Sequence, residues 1–369
     1  MLVFIGLHRF LQSDLAVSNI GCEKGVYSVT GSGNAMHTTY NEPGLSLNYA
    51  NGGLDTFGRV ISHAWMKGMN PLVHILHDYD YAGNRTSRLD AVHAANSEVY
   101  TYDAVNQIKS LNRGNSAFTE SWNFDKTGNW TQYNRHGTIE NRTHNAANEI
   151  ATIGGVATNV ASDKNGNMTK VPKQTGVGFY DCVYDAWNRL VQVKDGAAVV
   201  ATYTYNGANQ RIKKTAGNAV TTSFFNENWQ ELESITAGQV TSFVWGVRYI
   251  DDLILREKGV ERLYSLADPN WNVVATTNAA GVVQERMKYD AFGKVTWLDA
   301  AFAEKANSGF AWNRTFTGQV LDNETGLMLY RNRYYHTGLG RFVSRDPIGY
   351  EAGDINIYRT RSRTLSAEV

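Results

Sequence analysis

The residues best equipped for chemistry lie near the C-terminal end. Arg331, Arg333, Arg341 and Arg345 interleave with Asp322, Glu324 and Asp346 among Tyr330, Tyr334, Tyr335 and Phe342. A guanidinium grips a carboxylate through two parallel bonds and tolerates partial burial, so such a set suits a fixed ionic closure. A carboxylate with a second carboxylate nearby could instead perform acid–base work. Further upstream, His74 and His77 stand close to Asp78 and Asp80. They sit in the alternating run Leu72-Val73-His74-Ile75-Leu76-His77, where that spacing puts them on opposite faces of a strand. No Cys or further His completes a tetrahedral ligand set, so no metal site is expected. Asp163-Lys164-Asn165-Gly166-Asn167 opens like a calcium loop, but its Gly is misplaced and no bidentate Glu follows. The chain has no Gly-x-x-x-x-Gly-Lys-Ser/Thr run, no dinucleotide fingerprint and no Gly-x-Ser-x-Gly elbow. No cofactor is therefore expected. Sequons such as Asn84-Arg85-Thr86 and Asn141-Arg142-Thr143 are what chance gives in a chain rich in Asn and Thr.

The elements that must carry these residues announce themselves by repetition. Tyr79-Asp80-Tyr81-Ala82-Gly83-Asn84-Arg85 returns as Tyr102-Asp103-Ala104-Val105-Asn106-Gln107-Ile108, as Tyr184-Asp185-Ala186-Trp187-Asn188-Arg189-Leu190 and as Tyr289-Asp290-Ala291-Phe292-Gly293-Lys294-Val295. Looser copies begin at Leu54, Phe124, Asn145, Asp163 and Tyr205. Neighbouring copies are spaced by roughly 20–25 residues, as in repeat architectures. Asp or Asn bonds its own backbone two residues on and starts a turn. Gly or Asn near the end of the phrase accepts the positive φ of a tight hairpin. The flanks alternate, as in Val199–Tyr205 before a turn and Arg189–Lys194 after one. Each unit thus reads as strand, turn, strand. One hairpin cannot bury its own apolar face, so the hairpins must share one continuous sheet. The Tyr, Phe and Trp at the turn mouths are expected to form a ring-on-ring ladder along it. The alternative use of those rings is a stacking platform for carbohydrate or nucleic acid, which the lack of basic partners beside them disfavours.

Composition agrees. Lys+Arg and Asp+Glu both number 35, which argues against a nucleic-acid-wrapping protein. Gly numbers 34 and Tyr 20, a supply for turns and strands, and Pro numbers only 5, leaving no Pro-rich linker. Cys22 and Cys182 are too few and too distant for a disulfide framework and are expected to be free. The apolar start Met1–Leu7 lacks the layout of a signal peptide, and no stretch reaches the ~18 apolar residues of a membrane span.

Over residues 50 to 358 the sequence resembles the RHS/YD-repeat family. The four phrases above match the YD repeat. Residues 316–358 match the closing RHS core signature, with Tyr330, Arg333, Tyr334 and Tyr335, then Gly340-Arg341-Phe342, then Asp346-Pro347-Ile348-Gly349. The resemblance implies an all-β fold in which tandem antiparallel hairpins curve and spiral into a hollow shell. It implies four stretches: partial repeats at 1–50, the YD array at 51–300, the closing core at 301–358 and a tail at 359–369. Relatives include bacterial polymorphic toxins, the C component of insecticidal toxin complexes and the teneurins. In the toxins the shell encloses a C-terminal effector, so the implied partner is an effector polypeptide or other cargo, and the implied location is secreted or cell-surface. Cell-wall-associated relatives suggest a second role, adhesion to surface polysaccharide. The closing segment of the toxins is also an aspartyl autoprotease. Arg345 and Asp346 fall on its Arg-Asp-Pro motif, which makes Asp346 the catalytic candidate and Asp354 the candidate second carboxylate. After Tyr358 the family continues to a second Asp-Pro-x-Gly at the cleavage point. Here residues 359–369 are basic and Ser/Thr-rich, so the chain is read as a truncated, non-catalytic shell fragment with a disordered tail.

Overall fold

In a computed structural model, residues 27–32, 35–40, 43–48, 53–174 and 176–360 are described. The Cys22 expectation lies outside them. The fold is built on the turn that the repeats encode. At 80–84 the Asp80 N–H donates to the Asn84 carbonyl at 2.9 Å, and the Gly83 N–H returns to the Asp80 carbonyl at 3.1 Å. The Asp80 side chain accepts from the Asn84 N–H at 2.8 Å and from its side-chain amide at 2.8 Å. Burial pushes this carboxyl up, but these donors outweigh it and hold Asp80 below its ordinary value. The same loop forms from Asp103, Asp125, Asn145, Asp163, Asp185, Asn206, Asn226, Asp268, Asn278 and Asp290. The residue closing most loops is left-handed, such as Gly83 (φ 85), Asn106 (φ 63) and Asn188 (φ 61). Trp229 (φ 63), Trp271 (φ 63) and Phe302 (φ 72) adopt it too. Those turns carry no Gly or Asn at this point, which is why the repeat phrase does not reveal them.

All strand pairs are antiparallel and join neighbours in sequence, and no α-helix occurs among the described residues. The array is not one continuous sheet, as the repeats suggest, but two. The first has 12 strands, from Tyr27–Ser32 to Ile150–Ile153; the second has 15, from Ala161–Ser162 to Glu304–Lys305. The break has a local cause. Gly154 and Gly155 both take positive φ (61° and 78°), and a short 3-10 turn at Ala157–Asn159 carries the chain out of register. A third sheet of four short strands, from Val320–Leu321 to Arg341–Phe342, closes the structure. The strand Leu45–Asn48 pairs with Ser62–Lys67, and Tyr40, Leu45 and Leu47 share a core with Trp65.

The two large sheets curl back on one another. That same core joins the early strands to Ile254, Leu255, Tyr264 and Leu266 of the second sheet, some 200 residues later in the chain. His63 Nε2 and Trp65 Nε1 both reach the Ala267 carbonyl, at 2.8 and 2.9 Å. Tyr40 donates to the Ser265 carbonyl at 3.2 Å.

The turn-mouth aromatics behave differently from the expected ladder. Tyr79 donates its hydroxyl to the Val60 carbonyl, Tyr102 to Arg85, Tyr184 to Met168, Tyr205 to Leu190 and Tyr289 to Val273, at 2.6–3.1 Å. Each phenol thus ties one repeat to the strand leaving the previous turn. Guanidiniums lie over several of the rings, as Arg59 does over Tyr79 and Arg189 over Tyr205. No ring pair joins two of these turn-mouth tyrosines among the described residues. A phenol buried at a strand end needs a partner, and the preceding carbonyl is the nearest acceptor.

Candidate functional site

The closing segment fills the break between the two large sheets. Met168 at the start of the second sheet donates its N–H to the Val343 carbonyl at 2.7 Å. At the end of the first sheet, Arg341 donates to the Asn148 carbonyl at 2.6 Å, and Arg142 reaches the carbonyls of Leu339 (3.1 Å) and Gly338 (2.9 Å). Asn356 donates to the Thr127 carbonyl and to the Asn129 side chain at 3.2 and 2.8 Å. Tyr358 donates to the Gly166 carbonyl at 2.9 Å. Leu327, Tyr334, Leu339 and Val343 share one core with Ile150 and Ile153 on one side of the break and Met168, Cys182 and Val193 on the other. Two glycines permit this fit. A Cβ on Gly340 would stand 2.0 Å from the Trp130 ring, and one on Gly293 would stand 2.3 Å from Phe316.

The arginines and carboxylates of the segment pair mostly with the array rather than with each other. Asp322 is fully buried and accepts from Arg211 at 2.5 Å and Lys214 at 3.1 Å. Burial raises its carboxyl, but Arg211 and Lys214 outweigh that and hold it down at about 2. Glu324 also takes Lys214, at 3.0 Å. Arg331 pairs with Asp251 at 2.8 Å, and Arg345 with Glu149 at 2.7 Å. Arg333 alone stays within the segment, 3.1 Å from Asp346. The closure inferred from residue types is therefore real, and its partners are dispersed through strands that sequence spacing could not identify.

Asp346 reproduces half of a repeat turn. Its Oδ1 accepts from the Ile348 N–H at 3.0 Å, and its carbonyl accepts from the Gly349 N–H at 2.8 Å. Its own N–H donates to the Ile357 carbonyl at 2.9 Å, and its Oδ2 faces Arg333. Asp354 does likewise, with Oδ1 on the Asn356 N–H at 2.9 Å and Oδ2 on Arg359 at 2.5 Å. Each carboxylate thus has its own guanidinium. Arg345 binds Glu149 and the Tyr358 hydroxyl, the latter at 3.1 Å, rather than Asp346. Arg359 also bridges Arg341, so the segment runs on into what the sequence assigned to the disordered tail; residues 361–369 lie outside the described residues.

Beside the closing segment the second sheet leaves a recess of about 470 Å³. Its floor is a patch of hydroxyls. Register aligns Lys214, Thr221, Thr236 and Gln239 in one row and Ser223, Ser234, Thr241 and Lys258 in the next. The strands on either side instead place aliphatic residues such as Val193, Ala201 and Leu253 on this face. Arg256 and Arg314 border the recess and are paired with Glu261 and Glu231. Sequence reasoning passed over this patch. Its signal was the alternation of Thr221 with Ser223 and of Ser234 with Thr236, polar where the neighbouring strands are apolar.

The other candidates resolve simply. His74 is hydrogen-bonded to Ser62 at 3.3 Å, while His77 lies buried against the Val60 carbonyl at 3.2 Å. No group of three metal-ligating side chains occurs among the described residues. Asp163 forms a repeat turn. Cys182 is free, and burial pushes its thiol up to about 12, which leaves it unreactive. Tyr81 and Trp187 are exposed, at separate turn tips in different sheets. No helix among the described residues is long and apolar enough to cross a membrane.

Comparison with known proteins matches residues 36–363 to the Teneurin YD-shell model. The chain is 27% identical over 219 residues to the tRNA3(Ser)-specific nuclease WapA of Bacillus spizizenii, covering 58% of this chain and 9% of that protein. It is 29% identical over 209 residues to the double-stranded DNA deaminase toxin A of Burkholderia cenocepacia, covering 47% of this chain and 14% of that protein. Among solved structures it resembles the Photorhabdus luminescens Tc holotoxin pore, with TM-score 0.68 and 16% identity over 89% of this chain and 18% of that one. It also resembles the TcdB2–TccC3–Cdc42 complex, with TM-score 0.70 and 18% identity over 91% of this chain and 19% of that one. At such identities the structural likeness speaks for the fold. The chain spans less than a fifth of the length of these relatives. Its fold is the antiparallel β-shell of these structures.

Proposed function

We propose that this chain, which belongs to the Teneurin YD-shell family, forms a stretch of shell wall that contains an effector polypeptide and does no chemistry on it. The observation that carries this reading is the recess. Its floor presents two rows of hydroxyls, and several of its ions are already paired, beside Phe225, Trp229 and Phe243, where neighbouring strands present aliphatic side chains. A wall that holds an unfolded chain must not capture its apolar side chains, and rows of Thr and Ser with paired charges offer them less than the aliphatic face of the neighbouring strands would. The curl of the sheets and the segment wedged between them support this reading. The relatives named as a tRNA nuclease and a DNA deaminase toxin suggest effectors that need containment, with export from the cell or display at its surface.

The test uses the full chain extended by a reporter polypeptide after residue 369, exposed to protease. Containment predicts a reporter that is cut only after the shell is unfolded. A reporter digested at the rate of the free polypeptide ends this reading.

Non-catalysis is supported by the engagement of Asp346 and Asp354 with separate arginines and with turn amides. An aspartyl dyad needs two carboxylates close enough to share a proton. Asp346→Asn in a chain carrying the family's downstream Asp-Pro-x-Gly decides the matter. No cleavage in either form is expected; cleavage lost only in the variant would establish Asp346 as catalytic.

A further inference from the structure

A different buried carboxylate sits where the two large sheets and the closing segment meet. The turn from Tyr289 to Lys294 belongs to the second sheet but inserts against the first. Ala291 shares a core with Tyr100, Trp122 and Trp130, and the Phe292 ring lies 5.2 Å from Trp122 and 4.4 Å from Trp130. Arg113 donates to the Tyr289 carbonyl from the first sheet, and Tyr335 of the closing segment donates to the Phe292 carbonyl at 3.1 Å. This is a three-way seam.

Glu120, on the strand Phe118–Phe124, lies in that seam at 2% exposure. Its Oε1 accepts from the Tyr133 hydroxyl, and its Oε2 is buried without a hydrogen-bond partner. A buried carboxylate oxygen left bare is costly when charged and tolerable when protonated. The charged and titratable groups facing it are Tyr133 and Arg135 from the next strand, Arg113 from the previous one, and Asp290 from the inserted turn. They offer little compensation. Arg113 is committed to Glu98 at 2.5 Å, and Arg135 is 40% exposed with its Nε 3.9 Å from Oε1. Asp290 is a like charge, with its Oδ1 held by the Lys294 and Phe292 N–H groups at 2.7 and 3.3 Å. Lys294 from the same turn faces Asp290. Burial first, and then Asp290, push the Glu120 carboxyl up to about 7.

We propose that Glu120 holds a proton in the closed shell, and that its loss is a trigger that loosens the seam between the two sheets. Deprotonation releases the proton to solvent and leaves a charged carboxylate buried in the seam with one oxygen bare. The direction is fixed by linkage. The folded state binds this proton more tightly than the unfolded one, so its contribution is complete below the ordinary Glu value and lost as pH rises through about 7. Between about pH 5 and about pH 8.5 the seam's opening equilibrium should rise roughly a hundred-fold. The device is independent of what the shell holds and would act on any move from a mildly acidic to a mildly alkaline compartment.

The test measures amide hydrogen exchange at 290–294 on the full chain, corrected for intrinsic exchange, together with the infrared band of a protonated carboxyl. Wild type should show that band at about pH 6 and lose it, along with the protection, as the pH rises to about 8.5. Glu120→Gln mimics the protonated form and should remove the band and flatten the protection profile. Asp290→Asn preserves the turn, since Asn206 and Asn226 make the same loop, and should lower the pH at which Glu120 ionises. A wild type with no protonated carboxyl at about pH 6 overturns the proposal, whether or not the variants fold. So does a protection profile that Glu120→Gln leaves unchanged.

Discussion

Asp322→Asn tests the anchorage of the closing segment most sharply. Asn keeps the shape and the turn, in which the Asp322 N–H donates to the Leu327 carbonyl at 2.9 Å. It removes the charge that faces Arg211 and Lys214. The carboxyl is held from an ordinary 3.8 down to about 2, which corresponds to about 2 kcal/mol of preference for the charged form in the fold. Asp322→Ala also removes the acceptors, and breaking a buried ion pair from one side costs about 3–5 kcal/mol. Because the folded value is depressed, the stabilisation is present above 3.8 and lost as pH falls through about 2. Urea unfolding should therefore show Asp322→Asn about 2 kcal/mol less stable than wild type near neutral pH, with an unchanged m value. The gap should narrow as pH falls below about 4. A gap under about 0.5 kcal/mol, or one that stays constant with pH, would refute the assignment of Asp322 as the buried ionic anchor.

Tyr289→Phe and Tyr184→Phe each strip a phenol from a repeat-to-repeat bond and should cost about 1–2 kcal/mol in denaturant unfolding, whereas Tyr81→Phe at an exposed turn tip should cost nothing measurable. Gly340→Ala should destabilise strongly, because φ is +65° and the new Cβ would meet Trp130, while Gly207→Ala has open space around it and should be silent; differential scanning calorimetry separates them. Acid should weaken the fold before Asp322 titrates. Burial lowers His63 to about 3 and His336 to about 4, so both stay neutral in the fold and gain protons on unfolding below 6.5. Each should then withdraw about 2 kcal/mol by about pH 5, and replacing His63 by Gln should flatten its share of that slope.

The local unit was legible in the sequence because its physics is local. Asp80, Asp103 and Asp185 start their turns through their own backbone, and the strand flanks alternate visibly. The closing segment also stood out, since its arginines interrupt the repeat period. What sequence could not supply is anything decided by curvature. Arg211 and Asp322 meet across 111 residues, and Glu120 meets a turn 170 residues later, because the sheets curl. The sheet break was hidden for another reason: Gly154-Gly155 reads as one more hairpin turn until the following strand fails to pair back. The turn-mouth tyrosines bond preceding carbonyls instead of stacking on one another, since a ring's stacking preference yields when its hydroxyl is buried beside a carbonyl.

The curl itself is open to a single distance measurement. Spin labels replacing Met69 and Val282, both exposed, sit on hairpin tips brought together where Lys67 donates to the Ala280 carbonyl. In a flat array these tips would be about 20 strands and roughly 90 Å apart. The curled shell predicts one narrow distribution within about 25 Å, the reach of two label tethers across touching hairpins. A distribution centred far beyond that would show that the hairpins form an open strip and enclose nothing.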